Sequence, residues 1–225
     1  FVDGRGRERY GFASIPSNSP GVVFHDDWDA LGMRASASGS VTFDQVQVSD
    51  GMLSDTAPAG EWSAPLLDRY LLSGALHASA SLGIAEGAQA EIVHRLQLRP
   101  DALADPFVTS ELSANVVDLA AMRAALGRAG RLIDQYQARF PTGDGTLAAA
   151  QQVTAEVQAA KAFLNQAAVR VVDRALALSG GAGYRAVDPL AKAWRDVRAG
   201  AFMHPTGANR VAPLLAEAAL AGSAA

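Results

Sequence analysis

The sequence predicts an α+β protein that is mostly α, with the end of a small antiparallel β-domain over residues 1–60 and an up-down four-helix bundle over residues 61–225. Hydrophobic residues make up 49% of the 225 residues, which is enough for a sizeable core. Alanine, the best helix former, is abundant, and aromatic residues account for only 7%. Short apolar stretches between Gly, Pro, Ser and Asp fill the β-region, and the apolar spacing becomes helical after Ser63.

The β-region is predicted from alternating apolar residues, which place side chains on one face of a strand. A run of turn-forming residues, 17–21, separates the first two stretches. The alternation changes phase between Phe43 and Val46, which indicates a bulge or a shift in strand pairing. The predicted strands contain the pairs Tyr10 and Phe12, Val22 and Phe24, Val41 and Phe43, and Val46 and Val48.

The bundle is predicted from apolar residues at spacings of three, four and seven. The first helix ends before Pro100, because the residue preceding a proline avoids the α conformation. The second has candidate caps at Thr109 and Ser110. The fourth begins at Asp188, which is followed by a proline suited to the first turn. The predicted helices span about 64–98, 109–140 and 146–179, then from 188 with an interruption at 205–207 and a last piece to about 220.

The composition excludes several classes of function. The net charge of −4 provides no basic surface for nucleic acid or for an acidic membrane. The absence of cysteine excludes disulfides, thiolate nucleophiles and iron–sulfur clusters. The four histidines lack metal-ligand spacing, so no metal site is expected. No apolar run is long enough to span a bilayer, and a cytoplasmic location is expected.

One segment carries a family resemblance. The residues 28–48 combine an indole, a Gly-Met-Arg turn, a run of hydroxyl side chains and a strand of alternating apolar residues. They resemble the end of the middle β-domain of acyl-CoA dehydrogenases. Asp68-Arg69 resembles the start of the family's first bundle helix, and the loop 178–184 resembles its Gly-Gly-x-Gly-aromatic loop. Arg195-Asp196 resembles the pair that opens its last helical section, so the resemblance covers nearly the whole chain.

The resemblance implies a flavoenzyme that acts on a small molecule and forms a homo-oligomer, commonly a tetramer. The chain begins at Phe1, directly in strand-like sequence. We therefore expect that the family's N-terminal helical domain and the first half of its β-domain are absent from this chain. The absent part includes segments that contact the flavin ring in the family, so a fragment of this kind is expected to lack part of the site.

Two residues are candidates for catalysis. The catalytic glutamate of many acyl-CoA dehydrogenases falls, counted from Arg195-Asp196, on His204. A histidine can serve as a base near neutral pH, or it can donate a hydrogen bond to an oxygen adduct of reduced flavin. The second use resembles that of two-component flavin monooxygenases, which take reduced flavin from a separate reductase. Some family members carry the base on the first bundle helix, where this chain has Asp68. The alternatives are a surface histidine at a helix break and a surface Asp68-Arg69 pair.

The resemblance also implies cofactor-binding residues. Four residues of the β-region would line the flavin pocket, or would instead form a packed turn in which an arginine makes an ion pair. Arg95 could meet a flavin phosphate, although the Phe-Gly pair that follows in the family is missing. Gly180-Gly181 matches the family's glycine loop, or simply stops a helix. These departures suit FMN as well as FAD, and both remain open. The four residues of the β-region are Trp28, Arg34, Ser36 and Ser38.

Three hypotheses follow from these residues. The first is a flavin-dependent oxidoreductase of the monooxygenase type, using reduced flavin and O2. The second is an FAD-dependent acyl-CoA dehydrogenase that oxidises a CH–CH bond with Asp68 as base. The third is a non-catalytic bundle that serves assembly or binding. The sequence does not identify the substrate.

Overall fold

The computed structural model describes residues 1–204 and 207–222 and confirms the α+β, mostly α, fold class. Three helices are more than thirty residues long, and two shorter ones follow them. The helices are α1 (Ala64–Gln97), α2 (Pro106–Arg139), α3 (Leu147–Ser179), α4 (Pro189–Val197) and α5 (Ala208–Gly222). The strands are β1 (Arg9–Ala13), β2 (Val22–Phe24), β3 (Val41–Phe43) and β4 (Leu53–Pro58).

The β-region forms two antiparallel pairs. β1 pairs with β4, with Arg9 opposite Pro58, and β2 pairs with β3. The predicted strand at Val46–Val48 is wrong, because Gln45 adopts a left-handed conformation with φ of 49° and turns the chain out of the ladder. The last strand lies later, at β4, and brings the chain back beside β1 just before the bundle begins.

Helix ends follow side-chain caps. Asp105 accepts a hydrogen bond from the backbone N–H of Phe107, and Pro106 occupies the first helical position. The predicted start of the second helix at Thr109 is therefore wrong by three residues. Asp188 caps α4 in the same way through the N–H of Leu190, as predicted. Ser63 and Thr146 cap α1 and α3.

The helix α3 lies at the centre of the bundle and contacts α1, α2, α4 and α5. The fourth helix is shorter than predicted, since α4 ends at Val197 and a 3₁₀ turn follows at 198–201. The predicted interruption at Pro205 lies outside the described residues. The largest apolar cluster fills the space among α1, α2, α3 and α4, and its α3 members include Leu164, Ala167, Ala168, Val171, Val172 and Ala175.

The β-region docks against α4. The backbone N–H of Met33 donates to the carboxylate of Asp196 at 2.7 Å, and Lys192 pairs with the same carboxylate. A Cβ on Gly32 would lie 2.3 Å from the carbonyl oxygen of Arg195, so only glycine permits this approach. The Trp28 indole N–H donates to the Met33 carbonyl at 3.2 Å and braces the turn. Among the described helices, none is long and apolar enough to cross a membrane.

Candidate functional site

Four rings meet where the β-region joins the bundle, and we call them the Tyr70 cluster: Phe12, Trp62, Tyr70 and His204. The Tyr70 ring lies at its centre. The centroids of the Phe12 and Trp62 rings lie 6.3 and 6.0 Å from it, both edge-on. The imidazole of His204 lies 4.9 Å away, also edge-on. β1, the connection before α1, α1 itself and the segment after the 3₁₀ turn therefore converge on one aromatic wall.

The side chain of His204 lies at the edge of this cluster and is exposed. Partial loss of water around the ring, together with electrostatic repulsion from Lys161 and His77, lowers the pKa of His204 below its ordinary value. The lowered pKa favours the neutral form of the imidazole. A neutral imidazole offers one N–H donor and one acceptor nitrogen, which suits it to hydrogen bonding and to proton transfer.

The backbone at Met203 and His204 is held by Lys161 of α3, which is only 2% exposed. Its ammonium donates to the carbonyl oxygens of Met203 at 2.5 Å and of His204 at 3.1 Å. Burial lowers the pKa of Lys161 to about 8. The prediction from sequence missed this lysine. The signal available was its place on α3 between two core positions, Val157 and Leu164, where a charge is uncommon.

The second predicted base, Asp68, lies on a different side of α1 from Tyr70. The Tyr136 hydroxyl of α2 donates to its carboxylate at 2.8 Å, and burial, with this hydrogen bond, raises the pKa of Tyr136 to about 12. Asp68 lines a cavity of about 400 Å³ together with Phe140. A separate cavity of about 510 Å³ adjoins Lys161, and the two cavities share no lining residue. Asp68 lines the smaller cavity, and His204 lines neither.

The predicted flavin-lining residues of the β-region form a compact turn. Arg34 makes an ion pair with Asp29 at 2.8 Å, and the hydroxyls of Ser36 and Ser38 lie 2.9 Å apart. All three predicted polar residues are exposed, whereas Trp28 is half-buried. These contacts are those of the packed turn with an arginine ion pair. Their role in flavin binding stays a prediction.

The Arg95 guanidinium is occupied by carboxylates. It meets Glu91 at 2.7 Å and both oxygens of Asp188 at 2.9 and 3.0 Å, so it ties α1 to the start of α4. A phosphate would have to displace these partners. Gly180 and Gly181 are exposed, and Gly180 ends α3 with φ of 63°. Both glycines act locally as the helix stop, and their role beside a cofactor also stays a prediction.

Metal ligands are scarce in this part of the molecule. Within residues 1–204 and 207–222, no three His, Asp or Glu side chains are grouped so that they could hold a metal ion. At the Tyr70 cluster, the groups present for chemistry are the imidazole of His204, the aromatic rings beside it and the buried ammonium of Lys161.

Comparison with known proteins decides the family. The model of the family described as "Acyl-CoA dehydrogenase, C-terminal domain" matches residues 75–205, which is more than half of the chain. The chain belongs to this family. The match includes α2, α3 and α4 and ends one residue after His204.

Several relatives of the chain are nitrososynthases and monooxygenases. It is 36% identical over 210 residues to the amino sugar nitrososynthase DnmZ of Streptomyces peucetius, which covers 92% of this chain and 50% of the relative. It is 30% identical over 207 residues to the dibenzothiophene monooxygenase of Mycolicibacterium goodii, covering 83% of this chain and 48% of the relative. The structure of KijD3 in complex with FMN and an amino-keto sugar linked to dTDP superposes with a TM-score of 0.84. That match has 29% identity and covers 98% of this chain and 53% of the other.

These findings confirm the predicted family and its placement near the flavin-dependent monooxygenases. They also confirm that the chain's relatives are flavoenzymes acting on small molecules. The chain spans about half the length of the curated relatives it matches.

Proposed function

We propose that this chain belongs to a monooxygenase-type flavoenzyme that uses reduced flavin and O2. The observation that carries the proposal is the His204 imidazole, neutral and exposed, set against the Tyr70 cluster. The position corresponds to the catalytic glutamate of many acyl-CoA dehydrogenases, and an imidazole there offers an N–H donor, which an ionised carboxylate lacks.

The residues present fit a flavin. A flavin is a flat aromatic ring with a polar edge, and the Tyr70 cluster offers a wall of aromatic rings with one hydrogen-bonding group at its rim. We favour FMN over FAD. Arg95, the residue predicted to meet a phosphate, is engaged by carboxylates instead, and the KijD3 structure holds FMN.

The chemistry divides between cofactor and protein. When bound, reduced flavin would supply the two electrons needed to put one oxygen atom of O2 into the substrate and to reduce the other to water. His204 donates a hydrogen bond from its ring N–H and accepts a proton at its other nitrogen. Tyr70 covers one side of the imidazole and keeps water from it, and Phe12 and Trp62 pack against Tyr70.

Other parts of the assembly follow from the same proposal. A separate reductase would supply reduced flavin in the cytoplasm, and the substrate would be a small molecule. Trp28, Arg34, Ser36 and Ser38 would line the pocket from a β-domain over 1–60, and the bundle over 61–225 would form a homotetramer. The long exposed faces of α1 and α2, with Leu76 and Val117 among their residues, support self-association.

The test compares His204→Ala with the wild type in the full-length protein. Reduced FMN and O2 are mixed with each protein, and the release of hydrogen peroxide is followed with time. We expect the wild type to delay this release relative to free FMN, and His204→Ala to abolish the delay. His94→Ala is the matched control, because His94 is an exposed histidine on α1. An unchanged delay in His204→Ala would overturn the proposal.

The dehydrogenase alternative rests on Asp68, which lines the cavity of about 400 Å³ beside Tyr136. It requires that an acyl-CoA bleach bound FAD without oxygen. A flavin spectrum that acyl-CoA leaves unchanged would remove this alternative. A full-length protein that binds no flavin after reconstitution would instead favour the third hypothesis, a non-catalytic bundle.

A further inference from the structure

One face of α3 is polar although it is buried. Thr154, Gln158 and Lys161 are each no more than 3% exposed, and Asn165 continues the face at half-buried depth. Their spacing of four, three and four residues places all four side chains in one row along the helix. Buried rows of this spacing in a helix bundle are normally apolar. Polar side chains in this row therefore indicate a role other than core packing.

A matching row lies on α1. Tyr70, Gly74, His77 and Ser81 repeat the same spacing. The two rows are in register: the Ser81 hydroxyl donates to the side-chain oxygen of Asn165 at 2.8 Å. A Cβ on Gly74 would lie 2.8 Å from the amide nitrogen of Gln158, so a larger residue there would displace this side chain where the rows touch. We call this pair of rows the α1–α3 seam.

Three side chains of the seam hold the segment 200–204 by its backbone. The Asn165 amide donates to the carbonyl oxygen of Gly200 at 2.7 Å. The Lys161 ammonium donates to the carbonyls of Met203 and His204, and the His77 Nδ1–H donates to the His204 carbonyl at 2.5 Å. The seam thus supplies donors at both ends of one short segment, and each donor meets main chain.

The approach of this segment to α3 is close. A Cβ on Gly200 would lie 2.7 Å from the side-chain oxygen of Asn165, so a larger residue would push the Asn165 amide away from this backbone. The opposite end is fixed by two donors on one carbonyl, that of His204. Because the contacts are to the backbone, they fix where the Cα of His204 stands and leave its imidazole free to face outward.

We propose that Lys161 is a positioning residue, which with His77 and Asn165 fixes the segment 200–204 so that the His204 imidazole is held against the Tyr70 ring. The catalytic purpose of this arrangement rests on the proposed function. The contacts that position His204 do not depend on that function. Lys161 stands between the core positions Val157 and Leu164, where an apolar side chain would fill the space without the cost of burying a charge.

The experiment follows the ring signals of His204 by ¹H–¹³C NMR in the chain described here. Lys161→Met removes the ammonium with little change in volume, Lys161→Arg keeps the charge and the donors, and His77→Phe removes the other donor. Arg128→Met is the matched control, because Arg128 forms an exposed ion pair with Glu156. Circular dichroism reports whether each variant is folded.

In Lys161→Met we expect the His204 ring signals to broaden or split and its pKa to rise, since a nearby positive charge is lost. Lys161→Arg should restore the wild-type signals, His77→Phe should shift them, and Arg128→Met should leave them unchanged. Wild-type signals in a folded Lys161→Met would overturn the inference. If Lys161→Met does not fold, the test moves to His77→Phe. Wild-type His204 ring signals in His77→Phe would then overturn the inference.

A second readout separates this inference from the proposed function. In the full-length protein, Lys161→Met should reduce the yield of oxygenated product per reduced FMN by roughly ten- to a hundredfold, as a small misplacement of a catalytic group does. It should lower kcat and leave KM nearly unchanged. If the NMR signals shift as expected while His204→Ala leaves the flavin reaction unchanged, the positioning role stands and the proposed function fails.

Discussion

The two buried faces of α3 do different work. Leu164, Val171 and Val172 are fully buried against apolar neighbours, and every atom of these side chains gains from leaving water. Lys161 and Gln158 are buried just as deeply on the same helix, where the removal of polar groups from water opposes folding. One helix thus carries a face that stabilises the bundle beside a face that costs stability.

The contrast shows how a bundle can support a site without a flexible loop. The apolar face keeps α1 and α3 together, so that the polar face can present donors at fixed positions. The carbonyls of the segment 200–204 are then held at fixed positions by Asn165, Lys161 and His77. The apolar core of the whole bundle offsets the free energy that is lost by burying the polar face.

The largest effect is expected on the apolar face. Leu164→Ala removes a fully buried side chain, and we expect it to lower the free energy of unfolding by about 2–5 kcal/mol. Urea denaturation measures this change. Leu76→Ala is the control, because Leu76 lies on α1 with 67% of its surface exposed and should change stability by less than about 0.5 kcal/mol.

The same variant sharpens the contrast between the faces. Leu164→Ala should leave the NMR signals of His204 close to those of the wild type, since it removes none of the donors to the segment. A loss of less than about 1 kcal/mol, or His204 signals altered as strongly as in Lys161→Met, would erase the distinction between the two faces.

The next effect concerns pH and Lys161. Burial lowers its pKa from 10.5 to about 8 in the folded chain, so between these values the unfolded chain binds more protons. The free energy of unfolding should therefore rise as the pH increases from about 8 to about 10.5, by at most about 3 kcal/mol. Lys161→Met should lack this part of the slope. Identical slopes in both proteins would show that the polar face carries no such cost.

A smaller effect is expected at the end of the polar face. The hydroxyl of Thr154 is buried without a hydrogen-bond partner among the described residues. Thr154→Val replaces it by a methyl group of the same shape and should raise the free energy of unfolding by about 1 kcal/mol. Thr109→Val is the control, since the Thr109 hydroxyl is exposed and donates to the Pro106 carbonyl. A midpoint temperature of thermal unfolding that is lower in Thr154→Val than in the wild type would refute this prediction.

The smallest effect is expected on the outer side of α3. Glu156 pairs with Arg128 of α2 at 3.1 Å, and both side chains are about half exposed or more. Glu156→Gln should cost less than about 1 kcal/mol, and the cost should disappear at high salt. Urea denaturation at low and high ionic strength measures it. A loss that persists at high salt would mean that this surface contributes more than an exposed ion pair.

Much of the fold could be predicted because its signals are local. Asp188 and Pro189 start α4 where the cap and the proline indicate, and Gly180 ends α3 as its position implies. Errors arose where a distant contact or a single backbone conformation decides. Gln45 ends the second strand pair by adopting a positive φ, whereas the change of phase between Phe43 and Val46 indicated only a bulge or a shift in pairing. The last strand is set by pairing with β1, forty residues earlier in the chain.

The site was harder to predict than the fold. His204 was found through a family resemblance, but its neighbours come from distant stretches: Phe12 from a strand, Tyr70 from α1 and Lys161 from α3. Only the packing of α1 against α3 brings Lys161 and His77 to one carbonyl. A count of spacing along α3 would have flagged Lys161 as a charge among core positions, without showing what it holds.

The central claim, that His204 stands at a flavin site, is tested most directly by titrating the full-length protein with reduced FMN without oxygen. The ring signals of His204 are followed by NMR, with those of His94 as reference and with bound flavin measured by filtration. The account predicts that the His204 signals move and saturate with bound flavin while those of His94 stay in place. Stoichiometric binding of flavin with no change at His204 would contradict it.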